Sequence, residues 1–274
     1  KIKFDKIFIF QVSPVFSAIP AIIYSKFINC KIYLWVLDLW PESIKVFGFN
    51  SRVLNFFIKK ISDLIYSRAD VLLAQSHSIK KILIKRYKKR TFYFPNWSEE
   101  VKVVRVNEKF EKKIKKNLNR NNFNIFFGGN LGKAQDIDSL LATVKLVNKK
   151  TDRINWFIFG EGSEKNKILD FIKDNPDLKN LHLLDTVTQE IFFYIVTKYA
   201  DSLLVCLGKD KPFRWTVPGK IQFYLRCKLP IVGMLSGEAK NLIKVSNSGF
   251  VVNSGEYKKF SSLLLYLLKV KDKN

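Results

Sequence analysis

The feature that most narrows what this chain can fold into is an alternation. Short runs of β-branched and aromatic residues, such as Ile32-Tyr33-Leu34-Trp35-Val36-Leu37, are separated almost every time by a stretch whose apolar residues recur at helical spacing. The first series predicts strands over 7–12, 32–37, 71–75 and 91–95, with helices over 17–27, 51–67 and 78–87. From 98 to 122 the pattern fades into charge, including Lys112-Lys113-Ile114-Lys115-Lys116, which reads as a linker or a surface helix. A second series predicts strands over 124–127, 155–159, 181–184, 203–207, 230–233 and 250–252, with helices over 137–148, 164–173, 189–199, 219–225, 239–244 and 258–268. Strands joined through helices run parallel, in a sheet covered on both faces. The expected architecture is α/β: a Rossmann-like domain over 1–97, a linker over 98–122, and a second Rossmann-like domain over 123–274.

Composition limits the partners. The chain carries 48 basic against 24 acidic residues, a net charge of +24. Such an excess calls for an anion: nucleic acid, lipid headgroups or a phosphate-bearing substrate. Cys30, Cys206 and Cys227 are odd in number, lack CxxC spacing and sit in or beside apolar runs. That pattern fits buried free thiols in a reducing setting and argues against zinc. The uncharged stretch from Ile7 to Ser25 is interrupted by Gln11, Ser13, Pro14, Ser17 and Pro20, and reads as strand then helix rather than a membrane span. The chain starts at Lys1 without an initiator Met, and is expected to be a fragment or a trimmed product.

Several loops hold residues that could do chemistry. Gly128-Gly129-Asn130-Leu131-Gly132-Lys133 joins a strand to a helix, where backbone N–H groups and the helix dipole could hold a phosphate, with Lys133 as a point charge. A flexible connection accounts for it equally well. Asp136-Ile137-Asp138 has the DxD form of metal-dependent sugar transferases, yet acids at a helix start are favoured by the dipole alone, and that reading is preferred. Glu161 lies between Gly160 and Gly162, as an acceptor for sugar or ribose hydroxyls or in a plain glycine turn. In Thr216-Val217-Pro218-Gly219-Lys220, the proline suits a first helical turn, but Lys220 opposes the dipole there; a bound anion would explain it, and so would solvent. Lys85-Arg86-Tyr87-Lys88-Lys89-Arg90 resembles nucleic-acid or membrane surfaces, and the helix around Phe56-Phe57-Ile58-Lys59-Lys60 could rest on a bilayer or face the core. The loop Asp38-Leu39-Trp40-Pro41-Glu42-Ser43 follows a strand and either lines a site or caps a helix.

Taken in order, "FDKIFIFQVSPVFSAIPAI", "YLWVLDLWPES", "ADVLLAQS", "FYFPNW", "FFGGNLGKAQDIDSLL", "WFIFGEGSE", "ADSLLVCL", "TVPGKIQFYL" and "LPIVGMLSGEA" resemble the bacterial glycosyltransferases of family 4, or group 1. The nearest branch builds surface polysaccharides and transfers N-acetyl-fucosamine-type sugars. The resemblance implies a GT-B fold, two Rossmann-like domains facing across a cleft, here with the first incomplete at its start. It implies a retaining transfer from a nucleotide-diphosphate sugar, UDP-linked, to a lipid- or polysaccharide-linked acceptor, with no obligatory metal and no other cofactor. It places Gly129, Asn130 and Lys133 at the diphosphate, Glu161 near the nucleoside, Thr216, Pro218 and Lys220 at the phosphate or sugar, and Glu238 in a following loop. Asp38, Trp40 and Glu42 would line the cleft from the first domain, Asp38 and Glu42 being the nearest candidates for a catalytic carboxylate. The expected setting is cytoplasmic, peripheral on the inner membrane, with no nucleic acid as partner. The family's glutamate pair falls at Trp215 and Phe223, neither acidic, and the family's final helical segment is not matched. Two other classes compete: a basic nucleic-acid-binding protein, and a non-catalytic remnant docking on membranes or partners.

Overall fold

The computed structural model describes residues 4–46, 51–102, 104, 106–119 and 121–273. The chain forms two compact units, Lys1–Asn96 with Asp210–Val217, and Trp97–Lys209 with Pro218–Asn274.

In the first unit, β1 (Lys6–Gln11), α1 (Ile19–Phe27), β2 (Lys31–Val36), α2 (Glu42–Val46), α3 (Arg52–Arg68), β3 (Val71–Ala74), α4 (His77–Tyr87) and β4 (Thr91–Tyr93) follow one another. The strands pair in parallel in the order β1-β2-β3-β4. Alternation sorts the side chains of β2 and β3. Ile32, Leu34, Val36, Leu72 and Ala74 meet Ile58, Ile65 and Tyr66 of α3 and Ile79 and Leu83 of α4. On the opposite sheet face, Trp35 stands edge-on to Phe10 and Phe94, 5.0 Å between centroids in each pair, and donates its indole N–H to the Phe94 carbonyl at 2.9 Å. Ser76 begins α4 by accepting from the Ile79 amide at 3.1 Å, the capping its sequence position invites.

The second unit holds α5 (Glu108–Lys115), β5 (Phe123–Gly128), α6 (Ile137–Asn148), β6 (Ile154–Phe159), α7 (Lys165–Asp174), β7 (Leu181–Leu184), α8 (Gln189–Tyr199) and β8 (Ser202–Cys206). Here α9 (Lys211–Trp215) intervenes as part of the first unit; α10 (Gly219–Arg226), β9 (Ile231–Met234), α11 (Glu238–Val245), β10 (Gly249–Val252) and α12 (Tyr257–Lys271) complete the second. Six parallel strands run β10-β9-β8-β5-β6-β7, so the chain winds outward in both directions from β5. Strands buried on both faces read as continuous apolar runs, and all six residues of β6 are buried, Trp156 fully.

The charged stretch before β5 is more than a tether. Its helix α5 buries Ile114 and presents Glu111 to α8, where Lys198 donates at 2.8 Å and the Tyr199 hydroxyl also donates. Hydrogen bonds from Lys198 and Tyr199 hold the Glu111 carboxyl down, at about 2. Residues 210–217, assigned from sequence to the second domain, pack on the first unit: the Ser76 hydroxyl donates to the Trp215 carbonyl, and the Val217 amide donates to Gln75 Oε1 at 3.3 Å. All three cysteines are buried free thiols, and burial pushes Cys206 and Cys227 up to about 12. Among the described residues, no helix is long and apolar enough to cross a membrane.

Candidate functional site

Three strand ends and two helix starts in the second unit enclose a cavity of about 330 Å³. Gly128, Gly129 and Asn130 come from the end of β5, Phe159 from β6, and Thr186 and Val187 from the loop after β7. Gln189 and Phe192 come from α8, and Gly219, Lys220, Phe223 and Tyr224 from α10. The cavity lies at the carboxyl ends of parallel strands, beside the strand from which the winding reverses, which is where open α/β sheets bind ligands.

Backbone contacts hold its floor. Gly129 has φ +128°, a conformation open to glycine and strained for other residues, and its amide donates to the Phe159 carbonyl at 2.9 Å. A Cβ on Gly160 would overlap the Gly129 carbonyl oxygen, so the loops after β5 and β6 can touch only because Gly160 has no side chain. The Leu131 amide donates to the Glu161 carbonyl at 2.7 Å, and the Glu164 amide to the Leu131 carbonyl at 2.8 Å. From the other side, the Gly128 amide donates to the Tyr224 hydroxyl at 3.0 Å, tying β5 to α10.

Against this floor stands Lys220, in the first turn of α10. Its ammonium lies 3.7 Å from the centroid of the Phe127 ring and donates to Gln135 Oε1 at 3.1 Å. A Cβ placed on Gly129 would be 3.5 Å from that ammonium, so the cation sits directly beside the glycine turn. Among the described residues no carboxylate pairs with it. Burial pushes its pKa down from the ordinary 10.5 to about 7, with the Cys206 sulfur opposing the shift. A cation at a helix start also works against the helix dipole. Desolvation and dipole both oppose the charge; an anion entering beside Gly129 would relieve both, and would also meet the amides that a helix start leaves without intrahelical acceptors.

Of the residues singled out from sequence, Gly129, Asn130 and Lys220 line this cavity. Pro218 precedes α10 and sets its start. Lys133 is exposed at the head of the short turn Lys133–Gln135, the turn whose Gln135 receives Lys220. Glu161 points outward and pairs with Lys165. Thr216 belongs to the first unit, where its hydroxyl donates to the Pro212 carbonyl at 3.4 Å. Glu238 opens α11 and is not part of the cavity wall.

In the first unit, Asp38 accepts from the Ser13 hydroxyl at 2.8 Å, and the same Ser13 oxygen accepts from the Trp40 indole N–H at 3.1 Å. Trp40 is buried in the unit's core rather than displayed on a surface. Glu42 is engaged by the Arg86 guanidinium through both of its oxygens, one at 3.2 Å. The two acids of Asp136-Ile137-Asp138 diverge. Asp138 pairs with Lys167 at 2.9 Å, while Asp136, at φ 47°, has one buried carboxylate oxygen without a hydrogen-bond partner among the described residues.

Sequence reasoning did not single out Phe127, Gln135, Thr186, Val187, Gln189, Phe192 or Tyr224 as site residues. One signal was present: Thr188 starts α8 by capping the Ile191 amide, and it follows the carboxyl end of a strand, so the loop 185–188 lay where ligands bind.

No protein-family model matches the chain. A stretch of 176 residues, 61% of the chain, is 30% identical to a protein of Methanocaldococcus jannaschii called "Uncharacterized glycosyltransferase MJ1059"; the match covers 42% of that protein, so the chain spans under half the length of this curated relative. Among solved structures, Anabaena Alr3699/HepE in complex with UDP superposes with a TM-score of 0.73 at 14% identity, covering 97% of this chain and 69% of that one. A point mutant of S. aureus TarM, in complex with fondaparinux, α-GlcNAc-glycerol and UDP, gives 0.66 at 13% identity, covering 92% and 47%. An E. coli structure described as trehalose-6-phosphate bound with UDP-2-fluoro glucose also gives 0.66 at 13% identity, covering 94% and 64%. The fold is that of GT-B glycosyltransferase structures, an α/β chain with two parallel sheets.

Proposed function

We propose that this chain is a glycosyltransferase, or part of one, that takes its sugar from a nucleoside-diphosphate sugar, UDP-linked, held in the cavity beside Lys220. The observation that carries the reading is the ammonium of Lys220, enclosed beside the Gly129 turn without a carboxylate partner among the described residues. A diphosphate between that turn and the start of α10 would meet Lys220 and free helix-start amides, and would restore full protonation to the lysine. When the bond from the sugar carbon to the diphosphate oxygen breaks, negative charge collects on the departing diphosphate. Groups already fixed there stabilise that charge without reorganisation. Exposed Lys133, at the head of the turn that ends at Gln135, would supply a second, weaker cation. In this reading a metal is not required.

Support also comes from the relatives: the archaeal protein is called a glycosyltransferase, and the HepE and TarM structures were determined with UDP. Family 4 membership, transfer with retention, an N-acetyl-fucosamine-type sugar, and a lipid- or polysaccharide-linked acceptor at the cytoplasmic membrane face belong to the same proposal. Both candidate carboxylates are engaged in the first unit, Asp38 by Ser13 at one oxygen and Glu42 by Arg86 at both.

Net charge favours one second reading, sequence-independent binding of nucleic acid. Thermal unfolding with UDP, GDP, CDP, ADP and a short DNA duplex, at low and moderate salt, separates the two. A ligand at 100 times its Kd stabilises by about 2.7 kcal/mol, on the order of 5 °C for a chain this large. A UDP-selective shift that persists at moderate salt supports the donor reading. A shift with DNA alone, lost as salt rises, removes it.

A further inference from the structure

We propose that the outer face of α3 is a docking surface for an anionic lipid bilayer. The proposal rests on the reading above only in giving a membrane-side transferase its means of attachment, and it uses none of the nucleotide site. On its inner side α3 places Ile58, Ile65 and Tyr66 in the first unit's core. On the other side Val53, Phe57, Ile61 and Leu64 follow at i, i+4, i+8 and i+11, which keeps them on one face. Val53, Phe57 and Leu64 are 67%, 58% and 53% exposed. Single exposed apolar residues are ordinary; four in line on one helix form a patch that calls for a partner.

The charge around the patch says which partner. The helix carries Arg52, Lys59, Lys60 and Arg68 against a single acid, Asp63. That acid is already neutralised by Lys59 at 2.6 Å and held by the Tyr87 hydroxyl at 2.7 Å. The same Tyr87 contact brings the cationic end of α4 against α3. Lys85 and Lys88 are exposed there and make no ion pair among the described residues. An apolar stripe with a cationic margin matches a bilayer surface, aliphatic and aromatic groups entering the acyl boundary while the cations meet headgroup phosphates. Nucleic acid would reward the cations but leave the stripe in water. At 17 residues with four cations, α3 lies on the bilayer and does not cross it.

The test is co-sedimentation of the full chain with vesicles made of equal parts phosphatidylcholine and phosphatidylglycerol, and with vesicles of phosphatidylcholine alone. The wild type is expected to partition onto the mixed vesicles, more weakly at high salt, and less onto the neutral ones. The double variant Phe57→Ser/Leu64→Ser is expected to lose about a hundredfold in partitioning, and Arg52→Gln/Lys60→Gln about thirtyfold. Partitioning unchanged in both variants overturns the proposal. So does a dimer of the wild type that Phe57→Ser/Leu64→Ser makes monomeric without altering vesicle binding, since the stripe would then bind a second copy. Measuring the UDP shift on the same samples keeps the two readings apart. A retained UDP shift without vesicle binding refutes the docking surface alone, and vesicle binding without a UDP shift refutes the donor site alone.

Discussion

The ammonium of Lys220 sits 3.7 Å over the ring of Phe127, beside the Gly129 turn, with Gln135 as its hydrogen-bond acceptor. A ring face and a neutral amide soften the cost of burying a cation but do not cancel its charge. Replacing the lysine by methionine keeps the stem and the ring contact while removing that charge. Lys220→Met is therefore expected to leave the empty protein as stable as before or slightly more so. It should weaken UDP binding by roughly 10- to 150-fold, the loss of a charge-assisted contact of about 1.5–3 kcal/mol. Titration calorimetry beside a thermal melt reads both quantities; weaker binding accompanied by a marked loss of stability would mean the lysine is structural.

The position of its pKa gives a second handle. In the unfolded chain the lysine titrates near 10.5; in the folded chain burial brings it to about 7. Between these values the unfolded state binds more protons, so its contribution makes the empty protein more stable as pH rises from about 7 toward 10. UDP binding should run the other way, weakening as the pH rises through about 7 and the ammonium of the unliganded protein is lost. Melts and UDP titrations from pH 6 to 9 should show both slopes in the wild type and lose this component of each in Lys220→Met.

Exposed Lys133 ought to matter less. It is not part of the cavity wall but heads the short turn that ends at Gln135, and it would act on a phosphate only across solvent. Lys133→Ala should reduce UDP affinity by a few-fold, with the reduction disappearing at high salt. An effect equal to that of Lys220→Met would shift the diphosphate toward the outer end of the loop.

Gly160 tests the floor rather than the charge. A methyl group there must displace the Gly129 carbonyl, so Gly160→Ala is expected to destabilise by about 1–3 kcal/mol and to disturb the turn that faces Lys220. Thermal denaturation and UDP affinity should fall together; a variant as stable as the wild type would mean the two loops do not meet as described.

Much of this fold could be read in the sequence, and the reasons are local. The helices Ile137–Asn148 and Gln189–Tyr199 and the strand Leu181–Leu184 begin and end where the apolar pattern puts them. The five-residue helices α2 and α9 were not predicted, because so short a segment shows no period. The return of 210–217 to the first unit was equally hidden, since it depends on Ser76 meeting Trp215 and Gln75 meeting Val217, partners 139 and 142 positions apart. Lys220 stood out as a cation at a helix start. Its surroundings did not, because Phe127 and Gln135 meet it only once α10 has packed over the end of β5, where Tyr224 bonds to Gly128. Glu161 and Glu42 stood out by residue type and loop position; their ion pairs with Lys165 and Arg86 did not, since they depend on the fold or on side-chain geometry.

If the donor reading holds, a diphosphate contacts the ammonium of half-buried Lys220 in place of Gln135. A crystal structure of the chain with UDP tests it most directly, through the distance from the lysine nitrogen to the nearest phosphate oxygen. A direct contact of about 2.7–3.2 Å is expected, with the diphosphate between the Gly129 turn and the start of α10. UDP bound elsewhere, or seated in the cavity with Lys220 still turned to Gln135 and away from the phosphates, would contradict it.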